Sequence, residues 1–199
     1  MADPAYPDLD ADLEGWTLTE ESVETLFRLP AVRVRGATRR YEDERTREAV
    51  REATDGEVDH QWRFVAATRM AFVPPLPPGT PPSLILPMVR REARETFADR
   101  LSERGLVDIE ERGTERVRIA TGSRARLTRY RARDPVGGAD VPVTGWVGVW
   151  HDGDFFVVTG GHPDARLADV LDLDVSEPVL DRSRVEYREE FVDMLRSVR

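Results

Sequence analysis

Three histidines, His60, His151 and His162, are the chain's candidates for acid–base chemistry or metal binding. No two of them stand three or four residues apart, the spacing that brings imidazoles to one face of a helix. His151 and His162 do lie near carboxylates, namely Asp152, Asp154 and Asp164. The strand predicted between these two histidines separates them by roughly 20 Å, at about 3.3 Å per residue. The sequence therefore predicts no metal and no cofactor.

The sequence contains no motif typical of nucleophilic catalysis. Cysteine is absent, which removes disulfides, thiolate nucleophiles and Cys-ligated zinc or iron–sulfur centres. No serine lies in a G-x-S-x-G elbow, and no P-loop, GxGxxG or HExxH occurs. These absences favour a noncatalytic protein. An enzyme with a site built from loops near His151 or His162 is the alternative.

The strongest local charge is a run of arginine from Arg112 to Arg133. Eight arginines stand there against the single Glu115, a local charge of +7 in a chain of net charge −9. The two-residue period of a strand divides this run between two faces. We take as candidate ligand-binding residues Arg124, Arg126, Arg129, Tyr130 and Arg131. Such a surface suits phosphates, a nucleic-acid backbone or an acidic protein. Cross-strand pairing with Asp108, Glu110 and Glu111 is the alternative.

A second candidate anion site is a loop formed by Gly160, Gly161 and His162, ahead of Pro163. A glycine pair before a helix lets exposed backbone N–H groups face an anion. Pro163 suits the first position of a short helix that we expect to end near Leu171. An ordinary turn between a strand and a helix has the same composition, and this is the alternative.

The remaining pattern predicts the elements that carry these residues. Both alternating sets of side chains are apolar from Trp62 to Val73, which indicates a buried strand covered on both faces. A Pro-rich connector, residues 74–82, leads to a helix from Ser83 to Arg104. A two-residue period then predicts strands Leu106–Glu111, Glu115–Ala120, Arg124–Arg133, Val143–Trp150 and Asp154–Thr159. A last amphipathic helix begins at a capping box.

The predicted fold class is α+β, with one antiparallel sheet of about six to seven strands and helices packed against it. We expect one domain, residues 15–199, after an acidic tail, residues 1–14, that is disordered or loosely docked. The strand Val157–Thr159 followed by a final helix ending Met194-Leu195-Arg196-Ser197-Val198 resembles the PsbP and Mog1-like family. This resemblance covers roughly residues 83–199. It implies an α/β/α sandwich and a binding or assembly role.

All 29 basic residues are arginine, and lysine and asparagine are absent. Together with the acidic excess, this resembles the composition of proteins from salt-accumulating halophilic archaea, where weakly hydrated arginine replaces lysine. An acidic protein of a GC-rich bacterium is the alternative. The acidic N-terminal residues and the lack of a long apolar run predict a cytoplasmic protein with no membrane partner. The function we expect is noncatalytic protein binding or scaffolding, with binding of nucleic acid or a small anion through the Arg112–Arg133 strands as the alternative.

Overall fold

The computed structural model describes residues 3–29, 32–174 and 177–199. Within these ranges the chain forms seven strands and four helices. In chain order they are β1 (Trp16–Leu29), β2 (Val32–Asp43), α1 (Glu44–Ala53), β3 (Phe64–Val73), α2 (Pro82–Glu103), β4 (Val107–Arg118), β5 (Arg124–Val136), β6 (Ala139–Asp152), β7 (Asp154–Pro163), α3 (Leu167–Val170) and α4 (Arg184–Ser197).

All seven strands belong to one antiparallel sheet, in the order β1-β2-β3-β7-β6-β5-β4. The predicted α+β class with a single antiparallel sheet is confirmed. Two consecutive runs of strands make up the sheet. Strands β1 to β3 form one run, strands β4 to β7 form the other, and pairing of β3 with β7 joins them.

Helices cover both faces of the sheet. On one face, Phe156 and Val158 of β7 pack in a cluster with Leu195 of α4. On the opposite face, Phe155 and Val157 pack with residues of α2. We call these the α4 face and the α2 face. The buried strand predicted from Trp62 is β3, which begins two residues later and contributes to both clusters.

Local signals set the boundaries of the helices and hairpins. The Asp43 side chain accepts a hydrogen bond from the Thr46 backbone N–H at 3.0 Å and caps α1. The capping box of α4, formed by Ser183 and Glu186, is present. Gly153, at φ 73°, makes the tight turn between β6 and β7. The capping box was predicted from the sequence, and all three features depend on neighbouring residues alone.

Two strands differ from the prediction. The two strands expected between Leu106 and Ala120 form one strand, β4, whose pairing with β5 is interrupted by two register shifts. Strand β7 continues through Pro163 instead of ending at Thr159, and the short helix after it is reduced to α3. Pairing with β6 on one side and β3 on the other keeps the end of β7 in the sheet.

The acidic N-terminal segment docks on the α4 face. Leu9, Ala11 and Leu13 pack against the cluster there, and Leu9 forms an antiparallel bridge with Val198. The Asp8 backbone N–H donates to the Arg199 carbonyl at 2.9 Å, and a reciprocal bond runs back at 3.1 Å. The three apolar side chains of this N-terminal segment, which are separated by acids, are enough to dock it. The acidic average composition of the segment does not show this spacing.

Candidate anion-binding groove

The predicted ligand-binding arginines are exposed on β5, but the sheet separates them. Ala125 and Leu127 lie in the α4-face cluster, so alternation places Arg129 and Arg131 on the α4 face. Arg124 and Arg126 lie on the α2 face. The four arginines therefore belong to two different surfaces.

Tyr130 does not face solvent as the prediction required. It is only 5% exposed, and its ring packs edge-to-face on Phe97 with centroids 5.5 Å apart. Its hydroxyl donates to the Arg94 carbonyl at 3.3 Å. Burial, with the nearby Glu111 carboxylate, raises the pKa of Tyr130 to about 12. The ring is a core side chain and offers no stacking surface to a ligand.

A groove of about 620 Å³ opens on the α4 face between β5 and the first turns of α4. We call this cavity the arginine groove, because five arginines line it: Arg112, Arg129, Arg131, Arg184 and Arg188. Arg184 and Arg188 are four residues apart on α4, which places both on one side of the helix. The volume falls within the range of ligand-binding pockets, roughly 300–1,000 Å³.

The charges in the groove are only partly compensated by the protein. Arg112 pairs with Glu110, and Arg188 pairs with Glu115 at 2.7 Å. In the described residues, Arg129, Arg131 and Arg184 have no carboxylate within 4.0 Å. Asp164 is the one acidic residue among those lining the groove. The groove therefore holds a surplus of guanidinium donors, the groups best suited to binding carboxylates and phosphates.

Trp146 and His162 form the buried base of the groove. The Trp146 Nε1–H donates to His162 Nε2 at 3.1 Å, so this histidine nitrogen is an acceptor. His162 Nδ1 lies 2.8 Å from the Pro163 carbonyl oxygen and must be the donor to it. Burial lowers the pKa of His162 to about 4. The ring is neutral, both its nitrogens are occupied, and its role is to hold Trp146 against the sheet.

The anion loop predicted at Gly160, Gly161 and His162 is not a loop. All three residues lie within β7 and are buried, with Gly160 paired to Trp146 and Gly161 to Gly145. Their backbone groups are therefore committed to the sheet. The glycines serve packing instead, because a Cβ at Gly160 would overlap the Phe191 ring and lie 3.0 Å from the Phe64 carbonyl oxygen.

His151 and His162 lie at opposite ends of the β6–β7 hairpin. His151 pairs with Phe155 next to the tight turn, whereas His162 pairs with Thr144 far along the hairpin. His151 packs edge-to-face on the Phe155 ring, with centroids 4.7 Å apart. The structure brings His162, but not His151, to the same groove as Arg129 and Arg131.

Sequence reasoning missed the contribution of α4 to the groove. The i, i+4 spacing of Arg184 and Arg188 was a usable signal, since it puts two guanidinium groups on one helix face. The sequence did not show that this helix face lies across the groove from β5.

A second cavity, of about 580 Å³, contains a buried ion network that the sequence also did not indicate. Arg63 is 2% exposed and donates to Asp43 at 2.5 Å and to Glu190 at 2.6 Å. Its guanidinium lies between the rings of Trp16 and Tyr187, 4.8 and 4.7 Å from their centroids. These contacts tie β1, the end of β2, the segment before β3 and α4 together, so the cluster is explained by packing.

The fold and the groove define a class of protein: an α+β domain whose single antiparallel sheet and last helix enclose a basic groove. The chain belongs to the family described as "Domain of unknown function (DUF6517)", whose family model matches residues 3–199. No curated protein and no solved structure matches the chain. In the described residues, no helix combines the length and apolar character needed to cross a membrane.

Proposed function

We propose that the protein is a noncatalytic binding domain that holds an acidic segment of another protein in the arginine groove. One observation carries the proposal: Arg129, Arg131 and Arg184 line one groove, and none has a carboxylate within 4.0 Å in the described chain, even though Glu110 lies opposite Arg131 on β4. Carboxylates supplied by a partner would compensate these charges through bidentate hydrogen bonds.

The rest of the groove favours a peptide over a nucleic acid. Val185, which lines the groove beside Arg184, is 55% exposed and offers an apolar contact to a side chain of the partner. In the described residues the exposed large hydrophobic side chains are all aliphatic: Leu18, Leu84, Val107 and Val185. Single-stranded nucleic acids are held largely by stacking on aromatic rings, and the rings that line this groove, Trp146, His162 and Tyr130, are all buried.

We also propose a likeness in fold to a known family and a cellular location for the protein. The meander β4 to β7 followed by α4 supports the likeness to the PsbP and Mog1-like sandwich, whose members mostly bind or assemble other proteins. The arginine-only, acidic composition supports a halophilic cytoplasm. At molar salt the Debye length is about 3 Å, so direct guanidinium–carboxylate contacts would provide the binding and long-range attraction would not.

Fluorescence anisotropy with a labelled peptide in which glutamate alternates with valine tests the function. We expect the full chain to bind it, and Arg129→Gln with Arg131→Gln to raise the Kd by about tenfold or more, because each charged hydrogen bond contributes about 1.5–3 kcal/mol.

The matched control removes two exposed arginines elsewhere, Arg51→Gln with Arg91→Gln, and has the same net charge. It should leave the Kd within about twofold, since these positions lie outside the groove and charge far from the contact is screened. Equal losses in both double variants would show that only the net charge attracts the peptide. Failure of the unaltered protein to bind the peptide would also refute the proposal.

A further inference from the structure

On the α2 face, the β4–β5 pair carries arginines directly opposite one another. Arg116 is the cross-strand partner of Arg126, and Arg118 is the partner of Arg124. The residues between them, Val117 and Ala125, lie in the core of the α4 face, so these four arginines project to the other side. We call Arg116, Arg118, Arg124 and Arg126 the arginine ladder.

Like charges directly opposite on paired strands are destabilising. Natural sequences normally place an acid opposite a base. The predicted alternative of cross-strand pairing is met at Arg133, which pairs with Asp108, but not at these four arginines. The nearby acids are used elsewhere: Asp108 pairs with Arg133, Glu110 with Arg112, and Glu111 with Arg94. In the described part of the chain, no residue of the arginine ladder has a carboxylate within 4.0 Å. The unfavourable pairing is therefore left without compensation inside the protein.

Helix α2 adds a fifth guanidinium, that of Arg90, to this surface. Its Nε is buried and has no hydrogen-bond acceptor among the described residues. Burial, followed by the charges of Arg126 and Arg116, lowers its pKa. A buried donor that lacks an acceptor and faces like charges is costly unless something anionic binds beside it.

We propose that the arginine ladder and Arg90 form a second site, which binds a compact polyphosphate group. The spacing supports this ligand. Opposite residues have Cβ atoms about 5 Å apart, and successive rungs are about 7 Å apart. Linked phosphates present several charges over this short span, whereas one carboxylate matches a single guanidinium. Both a free polyphosphate and the chain of a nucleoside triphosphate have this chemistry.

Isothermal titration calorimetry of the full chain with tripolyphosphate, against potassium chloride at equal ionic strength, tests the site. We expect saturable binding, and a loss of affinity of about tenfold or more in Arg116→Gln with Arg126→Gln, because each removes charged hydrogen bonds. Arg90→Gln should weaken binding in the same direction. Repeating the titration with adenosine triphosphate distinguishes a free from a nucleotide-borne polyphosphate, and either ligand supports the proposal.

The groove double variant Arg129→Gln with Arg131→Gln serves as the control and should bind tripolyphosphate as the unaltered protein does. Ladder variants should in turn keep their affinity for the acidic peptide, so the two proposals fail separately. Without ligand, the ladder variants should be at least as heat-stable as the parent, because they relieve like-charge repulsion. Chloride binding equal to tripolyphosphate binding would overturn the proposal, and so would a single-stranded oligonucleotide that binds these arginines when tripolyphosphate does not.

Discussion

His162 combines a strongly perturbed pKa with a purely structural geometry. It is 3% exposed, accepts from Trp146 and donates to the Pro163 carbonyl. A buried histidine between two hydrogen-bond partners is often interpreted as a catalytic base. Here the accepting nitrogen is covered by an indole N–H, so His162 offers no free nitrogen to take a proton from a ligand in the groove. Sequence alone could identify this residue as unusual, but its neighbours in β6 decide what it does.

Protonation of His162 should make stability depend on pH. The pKa is 6.5 in the unfolded chain and about 4 in the folded protein, so the unfolded chain binds the proton first. Stability is therefore complete above about pH 6.5 and falls by at most about 3 kcal/mol as the pH drops to about 4. Urea unfolding across this range should show the loss for the parent and a smaller one for His162→Gln. If the free energy of unfolding depended on pH in the same way in both proteins, the assignment of this loss to His162 would be contradicted.

At the scale of elements, glycines decide how closely α4 approaches the sheet. Gly148 of β6 and Gly160 of β7 both lie beneath this helix, facing Leu195 and Phe191. The sequence predicted a flexible turn at the Gly160-Gly161 pair, because glycines close before a proline commonly mark one. Its use inside a strand follows from packing against a helix that begins more than twenty residues later, information that no local pattern contains.

Gly160→Ala should destabilise the protein by about 1–3 kcal/mol, since the new methyl group meets the Phe191 ring and a backbone carbonyl that cannot move aside. Gly148→Ala is the matched control on the same face. Its methyl would lie 2.6 Å from Leu195 Cδ1, the flexible end of a side chain, so the loss should be smaller. Chemical denaturation gives both values, and a larger loss at Gly148 would show that the contact with α4 is wrongly described.

For the whole molecule, the sequence was most informative where structure is local. The α2 and α4 helices and the capping box of α4 follow from neighbouring residues and were predicted. The pairing of β3 with β7 was not, because residues such as Phe64 and Gly161 that lie opposite each other are far apart in the chain. The groove depends on the same kind of long-range contact. Alternation along β5 predicted the exposed arginines, and only the fold showed that α4 lies beside Arg129 and Arg131.

The docked N-terminal segment should contribute measurably to global stability. Leu9→Ala with Leu13→Ala removes two partly buried side chains from the α4 face and should lower the free energy of unfolding by about 2 kcal/mol or more. Leu84→Ala, at a residue 69% exposed, should change it by less than about 0.5 kcal/mol. Thermal or urea unfolding compares them. Equal stability of the double variant and the parent would mean that the segment is loose.

The strand order also has a consequence for how the chain folds. Strands β4 to β7 follow one another through short hairpins, at little loop-closure entropy once the first turn forms, whereas helix α1 lies in the connection between β2 and β3. The joint between β3 and β7 closes only after a long stretch of chain has been ordered, and non-local pairing of this kind slows folding. We expect each run to collapse early and the central joint to close last, completing both layers of the core at once.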